Sequence, residues 1–457
     1  MVVVGAGFAG LSAARALSSA GYRVVVLEAR DRVGGRTLTK TLDGEAEGTW
    51  VDLGGQWIGP TQDEIASLVK ELGIATFPTW TQGDNLVVTD GASRRYRGTI
   101  PKLSPLSLLN VAYAQWTLER MARKVPLDAP WKAKQATEWD AKTLGDWLDG
   151  AIKTKSARGL LDAGLESVFA ADLREISLLH ALFYIHSGGN LDMLLGTEGA
   201  AQATRIVGGM QPVATAMATT LDVRLKCPVR RIEQDEDFVT VHYDGGETTA
   251  GYVVVAIPPK LVTEIAFDPE PPAERRALTS RMPMGAVVKC TAIYERPFWR
   301  ADGLSGMVVS DEGPIHVVFD NSPPPPGGGG GEGGGAGRGI LMGFAEAKAA
   351  RALGAKGEAE RREAALACFV RYFGERAAKP LAYTDHVWEH DAWSGGCYGA
   401  FMPPGVWTTH GHALREPHGR VHWAGTETAT VWSGYIDGAI ASGKRAANDI
   451  IRAREGR

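Results

Sequence analysis

The sequence predicts an α/β fold in which a Rossmann-like domain is assembled from discontinuous segments and an α+β domain is inserted between them. Two observations predict it. The first 36 residues read as an apolar strand, a glycine turn, an Ala/Leu-rich helix and a second apolar strand, which is the order of a βαβ unit. A second cluster of glycines and aromatic residues lies between residues 393 and 435. Because helical and strand patterns mix between the two clusters, we expect both ends of the chain to build one domain.

Local patterns place the elements within this fold. Helices are predicted at Leu11–Ala20, Gln62–Leu72, Glu346–Gly374 and Ser433–Arg452, with a mostly helical region at Leu103–Ser187. Strands are predicted at Val2–Val4, Val24–Leu27, Val223–Leu225, Val239–Tyr243 and Tyr252–Ile257, and antiparallel strands at Thr291–Tyr294, Met307–Val309 and His316–Phe319. The cofactor domain is assigned to residues 1–73, 207–279 and 391–457, the substrate domain to 74–206 and 280–390, and a flexible Pro/Gly surface loop to 322–339.

Composition excludes several classes of protein. Of 457 residues, 44% are hydrophobic and 22% are charged, and the formal net charge is −4, so nothing suggests binding to nucleic acid or to an anionic membrane. No stretch has the roughly 18 consecutive apolar residues of a membrane span, and no basic region precedes the apolar start. The four cysteines, Cys227, Cys290, Cys368 and Cys397, have neither zinc spacing nor a disulfide framework. We therefore expect a soluble cytoplasmic protein without a metal.

The turn after the first strand carries a dinucleotide fingerprint, Gly5-x-Gly7-x-x-Gly10. Gly5 permits the tight turn, Gly7 lets the backbone approach a pyrophosphate, and Gly10 lets the helix pack on the strand. The helix N-terminus then presents N–H groups to the phosphates. Glu28 ends the second strand, 18 residues after Gly10, where a carboxylate accepts ribose hydroxyls. A glycine turn without a nucleotide is the alternative.

The segment that follows, Glu28-Ala29-Arg30-Asp31-Arg32-Val33-Gly34-Gly35-Arg36, is not needed by a simple NAD-binding fold. Its glycine pair and arginine would let backbone and guanidinium approach a further anionic part of an extended cofactor. This favours FAD over NAD. A surface cluster of salt bridges is the alternative.

The stretch WSGGCYGAFMPPGVW, residues 393–407, contains Cys397 after two glycines. A lone cysteine is most often a small buried hydrophobe, but here it could also be a nucleophile against a bound group. Further on, residues 422–435 lead from a strand through small polar residues to an aromatic pair and a helix, whose N-terminus can face an electron-rich ring.

Five motifs occur in a fixed order along the chain: EARDRVGGRT, VDLGGQWIGPTQDEI, PMGAVVKC with ERPFW, SGGCY and GTETATVWSGYIDGA. Together they resemble the flavin-containing monoamine oxidases over nearly the whole chain. The resemblance implies an FAD cofactor. It also implies a thioether between Cys397 and the 8α-methyl of the flavin, although relatives with noncovalent FAD place another residue there. Tyr398 and Tyr435 correspond to the aromatic cage before the flavin, and Lys289 to the lysine that bridges through water to flavin N5 and assists reoxidation by O2.

The same resemblance carries over further positions. The cofactor-binding set is Gly5, Gly7, Phe8, Ala9, Gly10, Glu28, Ala29, Arg30, Gly35, Arg36, Gln56, Trp57, Val229, Trp388, Cys397, Gly425, Glu427 and Tyr435. The substrate pocket is expected from Leu195, Gln202, Phe344, Tyr398 and Tyr435, and a core role is the alternative for the first three.

The implied reaction is oxidative deamination of a primary amine, with secondary amines left open, to aldehyde, ammonia and hydrogen peroxide, by hydride transfer to flavin N5 and reoxidation by O2. A small-molecule amine is the expected partner, and a homodimer stays open. A diamine or polyamine oxidase needs a carboxylate at the far end of the pocket, and the sequence offers no obvious candidate there. Glu198 lies close to the expected entrance and keeps this alternative open. The remaining alternatives are a noncovalent FAD desaturase or oxidase and a flavin-bound scaffold without turnover.

Overall fold

The computed structural model describes residues 1–89, 91–98, 101, 103–324 and 337–455. Most of the predicted Pro/Gly loop, residues 325–336, lies outside the described residues. The strands are β1 (Val2–Val4), β2 (Val25–Leu27), β3 (Thr39–Thr41), β4 (Trp50–Asp52), β5 (Trp57–Ile58), β6 (Thr76–Pro78), β7 (Asp84–Thr89), β8 (Ala92–Tyr96), β9 (Thr204–Ile206), β10 (Asp222–Arg224), β11 (Val229–Gln234), β12 (Val239–Tyr243), β13 (Gly246–Ala250), β14 (Val253–Val255), β15 (Ala266–Asp268), β16 (Val287–Tyr294), β17 (Leu304–Ser310), β18 (Val317–Asp320), β19 (Gly339–Glu346), β20 (Ala382–Val387) and β21 (Val421–Trp423).

Helices cover much of the remaining described chain. They are α1 (Phe8–Ser19), α2 (Asp63–Glu71), α3 (Pro105–Ala122), α4 (Ala136–Asp140), α5 (Leu144–Ala151), α6 (Lys155–Phe169), α7 (Leu178–Ser187), α8 (Leu191–Leu195), α9 (Gln211–Ala218), α10 (Ala273–Ser280), α11 (Phe298–Ala301), α12 (Ala347–Gly354), α13 (Glu358–Phe373), α14 (Val406–His410) and α15 (Ile436–Glu455). None of the helices in these ranges is both long and apolar enough to cross a membrane.

A parallel five-stranded sheet in the order β10-β2-β1-β14-β21 unites distant parts of the chain. Val2 lies between Val25 and Val253, and Val253 pairs with Val421. The central strands are continuous valine runs because both faces of the sheet are covered. Helices α1 and α15, from opposite ends of the chain, pack so closely that a Cβ on Gly443 would overlap the carbonyl oxygen of Ala9. The predicted α/β class is confirmed.

A mixed seven-stranded sheet, in the order β20-β16-β19-β18-β17-β7-β8, forms the second layer. Strand β18 pairs antiparallel with β17, as predicted, and also with β19, a strand that the sequence analysis did not predict, while β17 also pairs parallel with β7. In the antiparallel pair of β16 with β19, Lys289 lies directly opposite Phe344. Helices α3 to α8 form a large apolar cluster beside this sheet. The assignment of segments to two domains stays a prediction.

Several predicted elements differ from the structure by one to three residues at an end, and two differ by more. The helix expected at Glu346–Gly374 is divided: Glu346 ends β19, and Gly354 and Gly357 separate helices α12 and α13, because glycine disfavours a helix interior by about 1 kcal/mol. Strand β16 starts at Val287, four residues before its predicted start at Thr291. All eight residues of β16 are buried, including Lys289. Because a charged residue is unusual in a buried strand, Lys289 concealed the beginning of β16 in the sequence.

Candidate active site

One cavity of about 1250 Å³ extends from the turn after β1 to the strands β16 and β19. It is lined by nearly all of the residues that the sequence singled out: Gly5, Gly7, Phe8, Ala9, Glu28, Ala29, Arg30, Gly35, Arg36, Gln56, Trp57, Leu195, Gln202, Val229, Lys289, Phe344, Trp388, Cys397, Tyr398, Gly425 and Tyr435. Gly10 and Glu427 lie behind its wall rather than on it. The roles assigned to these residues stay predictions, but the structure brings them to one place.

The glycine turn has the geometry that its sequence predicts. Gly5 adopts φ +97°, a region that favours glycine. A Cβ on Gly10 would overlap the carbonyl oxygen of Gly5, so the start of α1 packs directly on the turn. A Cβ on Gly35 would lie 3.3 Å from the Cα of Gly7. The two glycine loops therefore meet backbone to backbone at one end of the cavity.

Glu28 is buried at the end of β2, beside this turn. Its carboxylate accepts hydrogen bonds from the backbone N–H groups of Ala6, at 2.7 Å, and Arg30, at 2.9 Å. The guanidinium of Arg30 reaches across to Asp391 and to the hydroxyl of Ser394, at 2.5 and 2.7 Å. Arg30 thus ties the fingerprint region to the loop that carries Cys397.

Arg36 and Glu427 form an ion pair at the wall of the cavity, in which the Glu427 side chain is 2% exposed and the Arg36 side chain 20% exposed. Arg36 Nη1 donates to Glu427 Oε1 at 2.6 Å and to the carbonyl oxygen of Tyr398 at 2.8 Å, and Nη2 donates to Glu427 Oε2 at 3.3 Å. The N–H of Ala400 completes the carboxylate's partners. Burial alone would raise the pKa of Glu427, but Arg36 outweighs it and holds that pKa below its ordinary value.

The loop before Tyr398 presents Cys397 to the cavity. Gly396 adopts φ +142°, and a Cβ there would overlap the carbonyl oxygen of Gly285. The same carbonyl accepts a hydrogen bond from the N–H of Cys397 at 2.9 Å. Burial raises the pKa of the Cys397 thiol to about 12. Gly396 is therefore needed for the close approach of this loop to the segment that precedes β16.

Lys289 projects from β16 to the opposite side of the cavity, where it is 2% exposed. Its Nζ donates to the carbonyl oxygen of Gly54 at 2.9 Å and to Gln56 Oε1 at 2.7 Å. The rings of Phe344 and Trp57 lie 5.6 and 5.9 Å from Nζ. Burial lowers the pKa of Lys289 to about 7. The amine is thus poised to change its charge near neutral pH.

Tyr398 and Tyr435 are each held by neighbouring rings. Tyr398 meets Phe344 edge to face, with centroids 6.1 Å apart, and Tyr435 meets Trp432 at 4.8 Å and Tyr184 at 6.1 Å. Burial raises the pKa of both phenols above the ordinary value. Both phenols therefore stay neutral, and both rings line the cavity.

The remaining predicted residues form the walls of the cavity. Trp388 donates from Nε1 to the carbonyl oxygen of Leu53 at 2.9 Å, and Val229 begins β11 at the far end. Gln202 donates to the carbonyl oxygen of Leu194 at 3.1 Å, one residue before Leu195.

Sequence reasoning missed Tyr184, Gly54 and Asn321. Tyr184 lines the cavity beside Tyr435, and Asn321 accepts a hydrogen bond from Gln56 at 2.7 Å. Gly54 could have been found from its place in the GGQW motif. Tyr184 and Asn321 carry no local signal.

Comparison with known proteins identifies this arrangement. The sequence profile described as flavin containing amine oxidoreductase matches residues 8–451. The chain belongs to this family. It is 45% identical to AofH of Mycobacterium tuberculosis, whose name places it among the flavin-containing monoamine oxidases, over 98% of this chain and 96% of that protein. Cyclohexylamine oxidase from Brevibacterium oxydans has a similar structure, with a TM-score of 0.93, 32% identity and coverage of 99% of both chains. Putrescine oxidase bound to putrescine gives a TM-score of 0.92 at 32% identity, over 99% of this chain and 98% of that one.

As a flavin-containing amine oxidoreductase, the chain is an enzyme that needs room for FAD, and its residues fit that group. At one end, backbone glycines and the N-terminus of α1 offer N–H groups without side chains in the way, as a pyrophosphate requires. Glu28 lies beside them with acceptor oxygens for a ribose. Cys397, Lys289 and the two tyrosines line the same cavity, where an aromatic ring system would contact them.

Proposed function

We propose that the chain catalyses the FAD-dependent oxidative deamination of primary amines to aldehyde, ammonia and hydrogen peroxide, with O2 as the electron acceptor. One observation carries the proposal: a single cavity joins the nucleotide turn to a thiol, a buried lysine and two neutral phenols. Bound FAD would supply the electron sink that accepts a hydride from the amine's α-carbon. Residues of the chain would orient the amine, exclude water and assist reoxidation by O2.

Tyr398 and Tyr435 would orient the amine between their faces. An amine must react as the neutral base, because a protonated nitrogen has no lone pair to assist the departure of hydride. The walls of the cavity at this point, including Phe344 and Leu195, are apolar and exclude water. Desolvation disfavours the ammonium form, so the pocket itself favours the reactive form of the substrate. Gln202 would supply a polar contact in the same wall.

Lys289 would hold a water molecule at the ring and assist reoxidation by O2. Its two hydrogen bonds to Gly54 and Gln56 fix the position of Nζ. Since burial lowers its pKa to about 7, both protonation states are available near neutral pH. Lys289→Met would keep the length of the side chain and remove this group.

The decisive measurement is peroxide release from benzylamine, tyramine, putrescine and spermidine. Turnover of any of the four supports the proposal, whereas silence across the panel from FAD-loaded protein would refute it. Tyr435→Phe keeps the ring face and should retain activity. Tyr435→Leu removes the face and should lower kcat/KM by about ten-fold or more, since a cation–π or aromatic contact contributes about 1–2 kcal/mol.

A diamine is the second candidate, because Asp192 and Glu198 line the same cavity as the proposed pocket. Both carboxylates are exposed, and at a rim they could attract a second ammonium group. Putrescine would then be preferred over benzylamine in kcat/KM, and Glu198→Gln would remove that preference. Equal use of the two amines by the wild type and the variant would reject this candidate.

We further propose that FAD is joined through a thioether to Cys397. The C–S bond would replace the S–H of Cys397 and one C–H of the flavin 8α-methyl, and the two electrons released would pass to the flavin and from it to O2. The position of Cys397 on the cavity wall, with Arg36 and Lys289 favouring the thiolate against burial, supports it. After denaturation, yellow colour should stay with the precipitated wild-type protein and pass to the supernatant from Cys397→Ala. Cys290→Ala is the matched control, because Cys290 is also a buried free thiol but does not line the cavity. Colour in the wild-type supernatant would disprove the link.

A homodimer and a cytoplasmic location remain predictions from the sequence. The four cysteines are all unpaired, which accords with a reducing compartment. Sedimentation of the purified protein would settle its assembly state.

A further inference from the structure

Behind Lys289 lies a buried chain of hydrogen bonds that the function above does not use. Gln56 accepts from Lys289 at its Oε1 and donates from its Nε2 to Asn321 Oδ1, both at 2.7 Å. Gln56 and Asn321 are each 1% exposed. Asn321 is the residue before the segment 322–339, so the base of the Pro/Gly segment is linked to the lysine through one side chain.

The orientation of the Gln56 carboxamide depends on Asn321. A carboxamide has one acceptor end and one donor end. Because Asn321 Oδ1 takes the donor end, the acceptor end of Gln56 is left for Lys289. Without that acceptor the carboxamide could rotate and turn its NH2 group to the lysine, which would favour the neutral amine and disfavour the ammonium.

The backbone of Asn321 is itself anchored on both sides. Its carbonyl oxygen accepts a hydrogen bond from Arg205 Nη1 at 2.7 Å, and its N–H donates to the carbonyl oxygen of Ile340 at 2.7 Å. Arg205 is 1% exposed and packs over the rings of Trp50 and Phe77, at 5.3 and 5.1 Å. These bonds hold the backbone of Asn321 beside Gln56, and among the described residues its Nδ2 has no hydrogen-bond partner, so Oδ1 is the end of the Asn321 carboxamide that is bonded.

Besides its bond to the side chain, Lys289 Nζ has three positions that each hold an N–H or a lone pair. Two of them hold the N–H groups that donate to Gly54 and Gln56. The third is left for the cavity that Lys289 lines. It is an N–H when the lysine is charged and a lone pair when it is neutral. The charged and titratable groups that act on Nζ are Asp52, which favours the charged form, Arg205, which opposes it, and the thiol of Cys397.

We propose that Asn321 is a positioning residue for Lys289. Through the Gln56 carboxamide, Asn321 directs the third N–H or lone pair of Nζ toward the flavin site and sets the pH at which Lys289 titrates. The inference rests on the role proposed for Lys289 in reoxidation. Asn321 itself touches neither the reacting atoms nor the substrate pocket.

The test uses the FAD-loaded enzyme and needs no amine. The flavin is reduced anaerobically with dithionite and mixed with O2 over a range of pH, and the rate of reoxidation is followed by absorbance. We expect an inflection near neutral pH in the wild type that Lys289→Met abolishes. Asn321→Leu should move the inflection lower by about one to two pH units, which corresponds to one hydrogen bond to a charged group. Asn321→Asp keeps an acceptor oxygen and adds negative charge, so it should move the inflection higher.

Gln62→Leu is the matched control. Gln62 is also 1% exposed, but its Oε1 accepts from the N–H of Gly59 at 3.2 Å, outside this chain of bonds and outside the cavity wall. The inflection should stay in place in this variant. Competitive acetylation of Lys289, read by mass spectrometry as a function of pH, gives the same titration independently of flavin chemistry.

Opposite shifts from Asn321→Leu and Asn321→Asp would establish the inference, because a merely structural role would move both in one direction. Unchanged or equal shifts, or an inflection that survives in Lys289→Met, would overturn it. If Asn321→Leu does not fold, Asn321→Ala replaces it in the comparison with Asn321→Asp. Failure of the proposed function gives a different result: no amine in the panel would be oxidised, whatever the Asn321 variants do to the titration of Lys289.

Discussion

The ion pair between Arg36 and Glu427 makes a quantitative prediction. In Arg36→Met, the carboxylate of Glu427, whose side chain is 2% exposed, loses two hydrogen bonds and its only ion-pair partner among the described residues. Removing one partner of a buried pair costs about 3–5 kcal/mol, because the other charge is left without compensation. We expect the free energy of unfolding of Arg36→Met to fall by that amount near neutral pH.

The loss should depend on pH in a defined direction. In the wild type, the pKa of Glu427 lies below its ordinary value, so the pair stabilises the fold above that value and the contribution disappears as the pH falls. In Arg36→Met the same carboxyl is buried without its cation and gains stability when protonated. The difference between variant and wild type should therefore be greatest near neutral pH and shrink toward about pH 4.

Urea titrations in a Cys397→Ala background, with FAD omitted and with FAD in excess, separate the ion pair from cofactor binding. The double variant Arg36→Met/Glu427→Gln removes the uncompensated charge and keeps an acceptor for the N–H of Ala400. It should regain most of the lost stability. A loss below about 1 kcal/mol in the single variant, the range of an exposed pair, or a double variant no more stable than the single one, would refute the reasoning.

Two further predictions concern residues near the site. Burial, reinforced by Glu166, raises the pKa of Glu346 well above its ordinary value, and neither carboxyl oxygen has a hydrogen-bond partner among the described residues. The folded state therefore loses stability as the pH rises above about 4.5. Relative to wild type, Glu346→Gln should gain about 1.4 kcal/mol for each pH unit above that value, measured by thermal or urea unfolding at several pH values. Gly396→Ala should destabilise the fold by about 3 kcal/mol or more, because its Cβ would overlap the carbonyl oxygen of Gly285. Gly395 has φ +64° and open space around it, so Gly395→Ala should cost only about 1 kcal/mol. Equal unfolding midpoints for the two variants would contradict this prediction.

The local parts of the site could be predicted from the sequence. A strand, a glycine turn and a helix follow one another within residues 2–19, and their chemistry depends on neighbours in the chain. The same holds for Glu28 at the end of β2 and for the glycines before Cys397, where backbone conformation dictates the residue type. These local rules, together with the order of the five motifs, led to the family and the cofactor.

Only the tertiary structure decided which distant residues meet. Arg36 bonds to Glu427 across 391 positions of sequence, and Gln56 to Asn321 across 265. The partner of a buried polar group is chosen by packing, which leaves no periodic signal in either segment. The glycines that separate α12 from α13 were likewise visible in the sequence, but whether they would break the helix depended on what the flanking turns pack against. The amino-acid order therefore determined the backbone chemistry of each segment, and the fold determined the electrostatic environment in which Lys289 works.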